Sequence, residues 1–154
     1  SHKGKLIASG KSLPFIIVFN LGQRGDNSDV VIWDYESKRA IFRLSEHDYE
    51  VSNLAFSHDD NLLISTGNSL DGKLFIGTLP TGTLFFFEDC QLNLPDGITA
   101  VSFGGFVKDI KLRNTTNYQF AIAGSKKLTL WSLDPIHGQC SYEMMQTGSM
   151  VRDY

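Results

Sequence analysis

Five apolar bursts about ten residues apart run from Asp29 to Ile76, in DVVIWDYESKRAIFRLSEHDYEVSNLAFSHDDNLLISTGNSLDGKLFI. Each is short, rich in β-branched and aromatic residues, and bounded by turn formers. That is the pattern of strands and not of helices with their 3.6-residue period. The pattern extends over nearly the whole chain. It predicts strands near Lys5–Ser9, Val30–Tyr35, Ala40–Leu44, Val51–Ser57, Leu62–Thr66, Lys73–Leu79, Thr83–Phe87, Thr99–Gly104, Tyr118–Ala123, Leu128–Leu133 and Tyr142–Gln146. The turns are equally legible: His58-Asp59-Asp60-Asn61, Asp71-Gly72 and Pro80-Thr81-Gly82 preset or tolerate turn geometry. The fold class read from this pattern is all-β.

The bursts also repeat as a group. Superposing VVIWDYESKRAIFRL on LFIGTLPTGTLFFF sets Trp33 over Gly77 at an offset of 44, and VSNLAFS matches ITAVSFG at an offset of 47. A third copy ends in LTLWSLD with Trp131. Four strands in a period of roughly 40 to 45 residues mark the blade of a β-propeller. These residues resemble the WD-repeat (WD40) β-propeller family. Residues 1–154 then read as one partial propeller of about three and a half four-stranded blades, incomplete or open.

In that family a histidine, a strand serine or threonine, a turn aspartate and a tryptophan form a hydrogen-bonded chain. The resemblance places the first three roles on His47, Ser65 and Asp71, with Glu46 where a glycine is usual. Trp33 and Trp131 are the blade tryptophans, but the central blade has Gly77 at that position. Without an indole donor the chain is expected to stop at Ser65. A buried hydroxyl left unsatisfied would cost about 1–3 kcal/mol. The central blade is therefore expected to be weaker, and Gly77→Trp to stabilise it.

Two segments exceed the period. Lys11 to Gln23 adds about thirteen residues where a short hairpin link belongs, and Val107 to Asn117 lengthens the link between the first two strands of the last blade. The second is polar and basic and suits a solvated loop. The first is apolar, and three readings stand open for it: a strand added to a blade edge, a partner-binding loop, or a mispredicted exon. A contiguous exposed apolar patch marks an interface or an aggregation hazard. Phe15, Ile16, Ile17 and Phe19 are accordingly candidate interface residues. Phe86 joins them, because Phe85, Phe86 and Phe87 alternate across a strand and cannot all face one side.

Charge and composition exclude several function classes. With a net charge of −3, the 154-residue chain has no electrostatic footprint for nucleic acid or an anionic membrane. Two cysteines, Cys90 and Cys140, make neither a disulfide framework nor a zinc spacing, which fits a reducing, cytoplasmic setting. The start at Ser1-His2 reads as a tag remnant or the edge of an excised fragment. LPFIIVFNL is far short of the roughly 20 residues a spanning helix needs.

Four histidines, His2, His47, His58 and His137, lie at no metal-binding spacing, so neither metal nor cofactor is expected. GKS and GNS complete neither a nucleophile elbow nor a phosphate loop. Arg24-Gly25-Asp26 and the sequon Asn114-Thr115-Thr116 are silent in an intracellular chain. His58 in SHDDN reads as a plain turn residue. No catalytic residue is predicted.

The C-terminal stretch GSKKLTLWSLDPIHGQCSYEMMQTGSMVRDY pairs LWSLDP with a later QTGSM. That pairing, with SDVVIWDYESKRAIFRLSEH before it, resembles the cilia- and flagella-associated protein 52 family of the motile axoneme. The resemblance implies a non-catalytic scaffold inside doublet microtubules, with tubulin and neighbouring axonemal proteins as partners. An open arc also leaves strand edges free to associate with a second copy. The alternative is a WD-repeat adaptor unrelated to cilia, such as a ubiquitin-ligase substrate receptor. A propeller hydrolase would need acidic or histidine side chains converging on a central channel.

Overall fold

The computed structural model describes residues 7–9, 16–20, 28–34, 37–79, 84–89, 97–124 and 127–145. Twelve strands among them form three four-stranded antiparallel sheets. The first holds β1 (Ile7–Ser9), β2 (Ile16–Asn20), β3 (Ser28–Asp34) and β4 (Arg39–His47). The second holds β5 (Val51–Phe56), β6 (Leu62–Gly67), β7 (Lys73–Thr78) and β8 (Leu84–Asp89). The third holds β9 (Ala100–Lys108), β10 (Asn114–Ala123), β11 (Leu128–Asp134) and β12 (Gln139–Met145). Each sheet is an up-and-down meander in chain order, with neighbouring strands antiparallel.

Segment 11–23 differs from the short link that the period led one to expect. It carries β2, which pairs with β1 on one side and β3 on the other, so the strand lies inside the first sheet and not at its edge. The run it lies in, between Pro14 and Gly22, is apolar without period-two alternation. The second long link, 107–117, is also ordered, as the extended end of the β9–β10 hairpin.

Alternation decides how the sheets stack. In β6 all six residues are buried, because even-numbered positions face the third sheet and odd-numbered ones the first. Leu62 and Ile64 of β6, with Leu74 and Ile76 of β7, pack on Tyr118, Phe120, Ile122, Trp131 and Leu133 of the third sheet. On the other side Leu63 joins Val30, Ile32, Leu44, Val51 and Leu79. Each fully buried aliphatic side chain contributes about 1.5–3 kcal/mol. The cores therefore lie between the sheets, and the second sheet is the filling of a three-layer stack.

Candidate functional site

β4 ends at His47, and the chain crosses to the second sheet through Asp48, Tyr49 and Glu50 alone. The imidazole of His47 is 1% exposed and spans the junction. Its Nδ1 lies 2.7 Å from Asp71 Oδ2 and its Nε2 2.9 Å from Ser65 Oγ. Asp71, in the β6–β7 turn, also accepts the backbone N–H groups of Asp48 at 2.8 Å, Tyr49 at 3.1 Å and Lys73 at 3.3 Å. Four donors converge on one buried carboxylate, which offsets its desolvation. Burial pushes the His47 pKa below its ordinary value, outweighing the raising effect of the Asp71 hydrogen bond. The neutral ring then donates from Nδ1 to Asp71 and accepts at Nε2 from the Ser65 hydroxyl. The Ser65 proton is thus used, and the hydroxyl is not without a partner even though Gly77 supplies no indole donor to its oxygen.

Hydroxyl, imidazole and carboxylate stand in the order of a nucleophilic triad. Ser65 and Asp71 are only 2% and 3% exposed, and a hydroxyl sealed among sheets meets no substrate. What the arrangement does is join His47 of the first sheet to the second.

Two further residues make room for it. A Cβ built on Gly67 would run into the Asp71 side chain, far inside any real carbon contact. The side-chain carbonyl of Asn68 accepts the N–H groups of Leu70 and Asp71 at 3.0 and 3.1 Å, closing the turn that aims Asp71.

Gly77 is buried and pairs with Leu63, while Ser65 pairs with Phe75. In the third sheet the register-matched pairs are Trp131 with Phe120 and Thr129 with Ile122. Trp131 Nε1 donates to Thr129 Oγ1 at 2.8 Å, and that hydroxyl donates to the Ile122 carbonyl at 3.2 Å. The indole also stacks on Phe120 and Tyr142, with centroids 5.7 and 4.7 Å apart. The two sheets carry different side-chain hydrogen bonds, His-Ser-Asp in the second and Trp-Thr in the third. Where the third has Thr129, the second has Phe75, whose ring stands edge-on to His47 at 4.7 Å.

The second and third sheets are tied differently. Tyr118 of β10 donates its phenolic O–H to Asp59 Oδ2 in the β5–β6 turn at 2.7 Å. Burial of Asp59 raises its pKa, but hydrogen bonds from Ser57, Tyr118 and Asn61 outweigh this and hold it below the usual range. Burial, with Asp59 as acceptor, pushes the Tyr118 phenol up to about 12. His58 stands edge-on to Phe106 at 4.4 Å. Asn53 Nδ2 adds a 3.3 Å bond to the Ile98 carbonyl where the chain approaches the third sheet. The turn SHDDN, read as plain, is therefore an inter-sheet contact.

Trp33 is part-buried on β3, paired with Ile17 and Ala40. Ile16, Ile17 and Phe19 lie along β2, and Phe86 pairs with Ile76 through β8, all four described by their backbone. Phe15, His2, Cys90 and Arg24-Gly25-Asp26 lie outside the described residues. His137 is exposed and bonds Asp134 at 2.8 Å, and Asn114 is exposed at the start of β10.

Consecutive four-stranded meanders stacked face to face define the β-propeller fold, here as an open arc of three sheets among the described residues. The solved β-propeller domain of Myceliophteria thermophila Cps50 (Swd1) superposes with a TM-score of 0.61 at 14% identity, over 94% of this chain and 40% of that one. In sequence the chain is similar to cilia- and flagella-associated protein 52. It is 27% identical to that of Chlamydomonas reinhardtii over 134 residues, 87% of this chain and 18% of the relative. The human protein is 26% identical over 152 residues, 99% of this chain and 22% of the relative. The chain thus spans about a fifth of the length of these relatives. No family model matches it.

Proposed function

We propose that residues 1–154 are one partial propeller within a non-catalytic WD-repeat scaffold of the axoneme of cilia or flagella. Its partners are tubulin and neighbouring axonemal proteins, and it needs no cofactor. The observation that carries this reading is the similarity to cilia- and flagella-associated protein 52 along 99% of the chain. The inter-sheet ties support it from the physical side, because a scaffold must hold its contact surfaces in fixed relation. A buried His-Ser-Asp chain and a Tyr-Asp contact each do so across one junction.

The third sheet also has a face suited to a further layer. Ala121, Leu128 and Leu130 match in register Ile64, Leu74 and Ile76, which the third sheet itself covers on the second. Another propeller blade, or a second copy of the chain, closes the arc there. A monodisperse, compact monomer of residues 1–154 in solution scattering contradicts this.

Fractionation tests the larger reading. The protein is expected to stay with doublet microtubules through salt washes that strip loosely bound proteins. Release by mild salt, with copurification of ubiquitin-ligase adaptors, would replace the axonemal reading with that of a free adaptor.

A further inference from the structure

The third sheet departs from the second at one end. Six residues lie between the paired Phe56 and Leu63, whereas sixteen lie between the register-matched Phe103 and Phe120. The extra residues form an ordered arm. Lys108 pairs with Asn114, and the Thr115 hydroxyl donates to the Val107 carbonyl at 2.8 Å. At the tip, Asp109 Oδ1 accepts the N–H groups of Lys111 and Arg113 at 2.8 and 2.9 Å, and Oδ2 holds the Arg113 guanidinium. At the base, Phe106 and Tyr118 are fixed by His58 and Asp59 of the neighbouring sheet. Gly105 at φ +103° and two register shifts in the β9–β10 ladder re-aim the arm away from the plain hairpin path.

What this arm displays is unusual for a solvated turn. Ile110 is 99% and Leu112 77% exposed. Leu112 is moreover held at φ 60°, a left-handed conformation that a leucine adopts only when its surroundings impose it. Lys108, Lys111 and Arg113 are exposed around them. Three cations face one carboxylate, Asp109, which Arg113 already engages. The tip is therefore locally positive on a chain whose net charge is −3.

We propose that the arm from Lys108 to Arg113 is a docking finger for a protein partner with an acidic surface around an apolar pocket. Ile110 and Leu112 enter the pocket, and Lys108, Lys111 and Arg113 meet the carboxylates at its rim. Aliphatic tips do not stack on bases, which separates this surface from a nucleic-acid reader. The assignment stands independently of which assembly the propeller serves.

Binding is measured by fluorescence anisotropy with the full chain. The probe is a labelled glutamate-rich peptide carrying spaced leucines and phenylalanines. A copy with lysine for glutamate and vesicles containing phosphatidylserine serve as comparisons. The acidic peptide is expected to bind and the lysine copy not. I110D/L112D is expected to weaken binding at least about tenfold. K108E/K111E is expected to do the same and to flatten the salt dependence. Both variants should melt with the parent, since every altered side chain is exposed. The proposal is overturned if the acidic peptide does not bind, if the two peptides bind equally, or if either variant binds like the parent. It is also overturned if the same variants abolish vesicle binding, which would make the arm a membrane contact.

Discussion

Replacing Asp71 by alanine isolates the tie between the first two sheets. The change removes the acceptor for His47 Nδ1–H and for the backbone N–H groups of Asp48, Tyr49 and Lys73. The Asp71 side chain is fully buried, so bulk water does not replace these bonds in place. Leaving these four donors without their charged acceptor, at about 1–3 kcal/mol for each that stays unsatisfied, costs about 3–5 kcal/mol once the more exposed ones find water. Ser65→Ala removes one neutral donor, leaving His47 Nε2 as a buried acceptor without it, for about 1–2 kcal/mol. For a chain of this size each kcal/mol moves the melting temperature by roughly 2–4 °C. Asp71→Ala is therefore expected to melt about 10–15 °C below the parent and Ser65→Ala about 3–6 °C below it. Differential scanning calorimetry at neutral pH reads both. Equal losses in the two variants would refute the reasoning, because they would show that the carboxylate does no more than the hydroxyl.

The same ring gives the tie a pH dependence. Burial lowers the His47 pKa below its ordinary value of 6.5, so on acidification the unfolded chain takes up the proton before the folded one. The stability of the folded state is then complete above about pH 6.5 and falls as pH drops from there towards the folded pKa, by at most about 1.4 kcal/mol per pH unit. Urea midpoints at pH 7.5 and 5.5 check the sign, and a higher midpoint at pH 5.5 contradicts it. Tyr118→Phe is expected to cost about 1–2 kcal/mol through loss of the bond to Asp59. It should also remove from the absorbance titration the phenol that ionises at about 12. Because that pKa lies above 10.0, the contribution is present below pH 10 and disappears as pH rises through 12. Gly77→Trp is expected to raise the melting temperature by supplying an indole donor at the position that Trp131 holds in the third sheet. A lowered melting temperature would mean that Phe75 and Leu63 already fill the space and the indole overpacks it.

Strand spacing and turn residues made most of the architecture readable, because period-two alternation and Asp/Gly/Asn punctuation are local properties. β2 was legible only as one of three alternatives, a strand added to a blade edge, since it lies in an apolar run that breaks the repeat and has no alternation to betray its pairing on both sides. His47, Ser65 and Asp71 were readable only through the family pattern, their separations of 18 and 24 residues following no local rule. Gly67, Asn68 and Phe75 were missed. Gly67 and Asn68 matter because of where Asp71 must sit, and Phe75 because of where the His47 ring lies. The Tyr118 to Asp59 bond joins residues 59 apart through side-chain fit between sheets, which leaves no mark in a hydropathy pattern.

The short segment from Asp48 to Glu50 has a mechanical consequence. Among the described residues it is the only covalent joint between the first and second sheets, and each of its residues is bound to the second: Asp48 and Tyr49 through Asp71, Glu50 through the N–H of Asn68 at 2.8 Å. A joint of three residues with a backbone group of each one engaged has little slack, so it behaves as a weld and not as a hinge. Tension applied through the first sheet passes directly into the β6–β7 turn without being absorbed by rotation of the connection. A part joined in this way carries load at fixed angle instead of yielding to it.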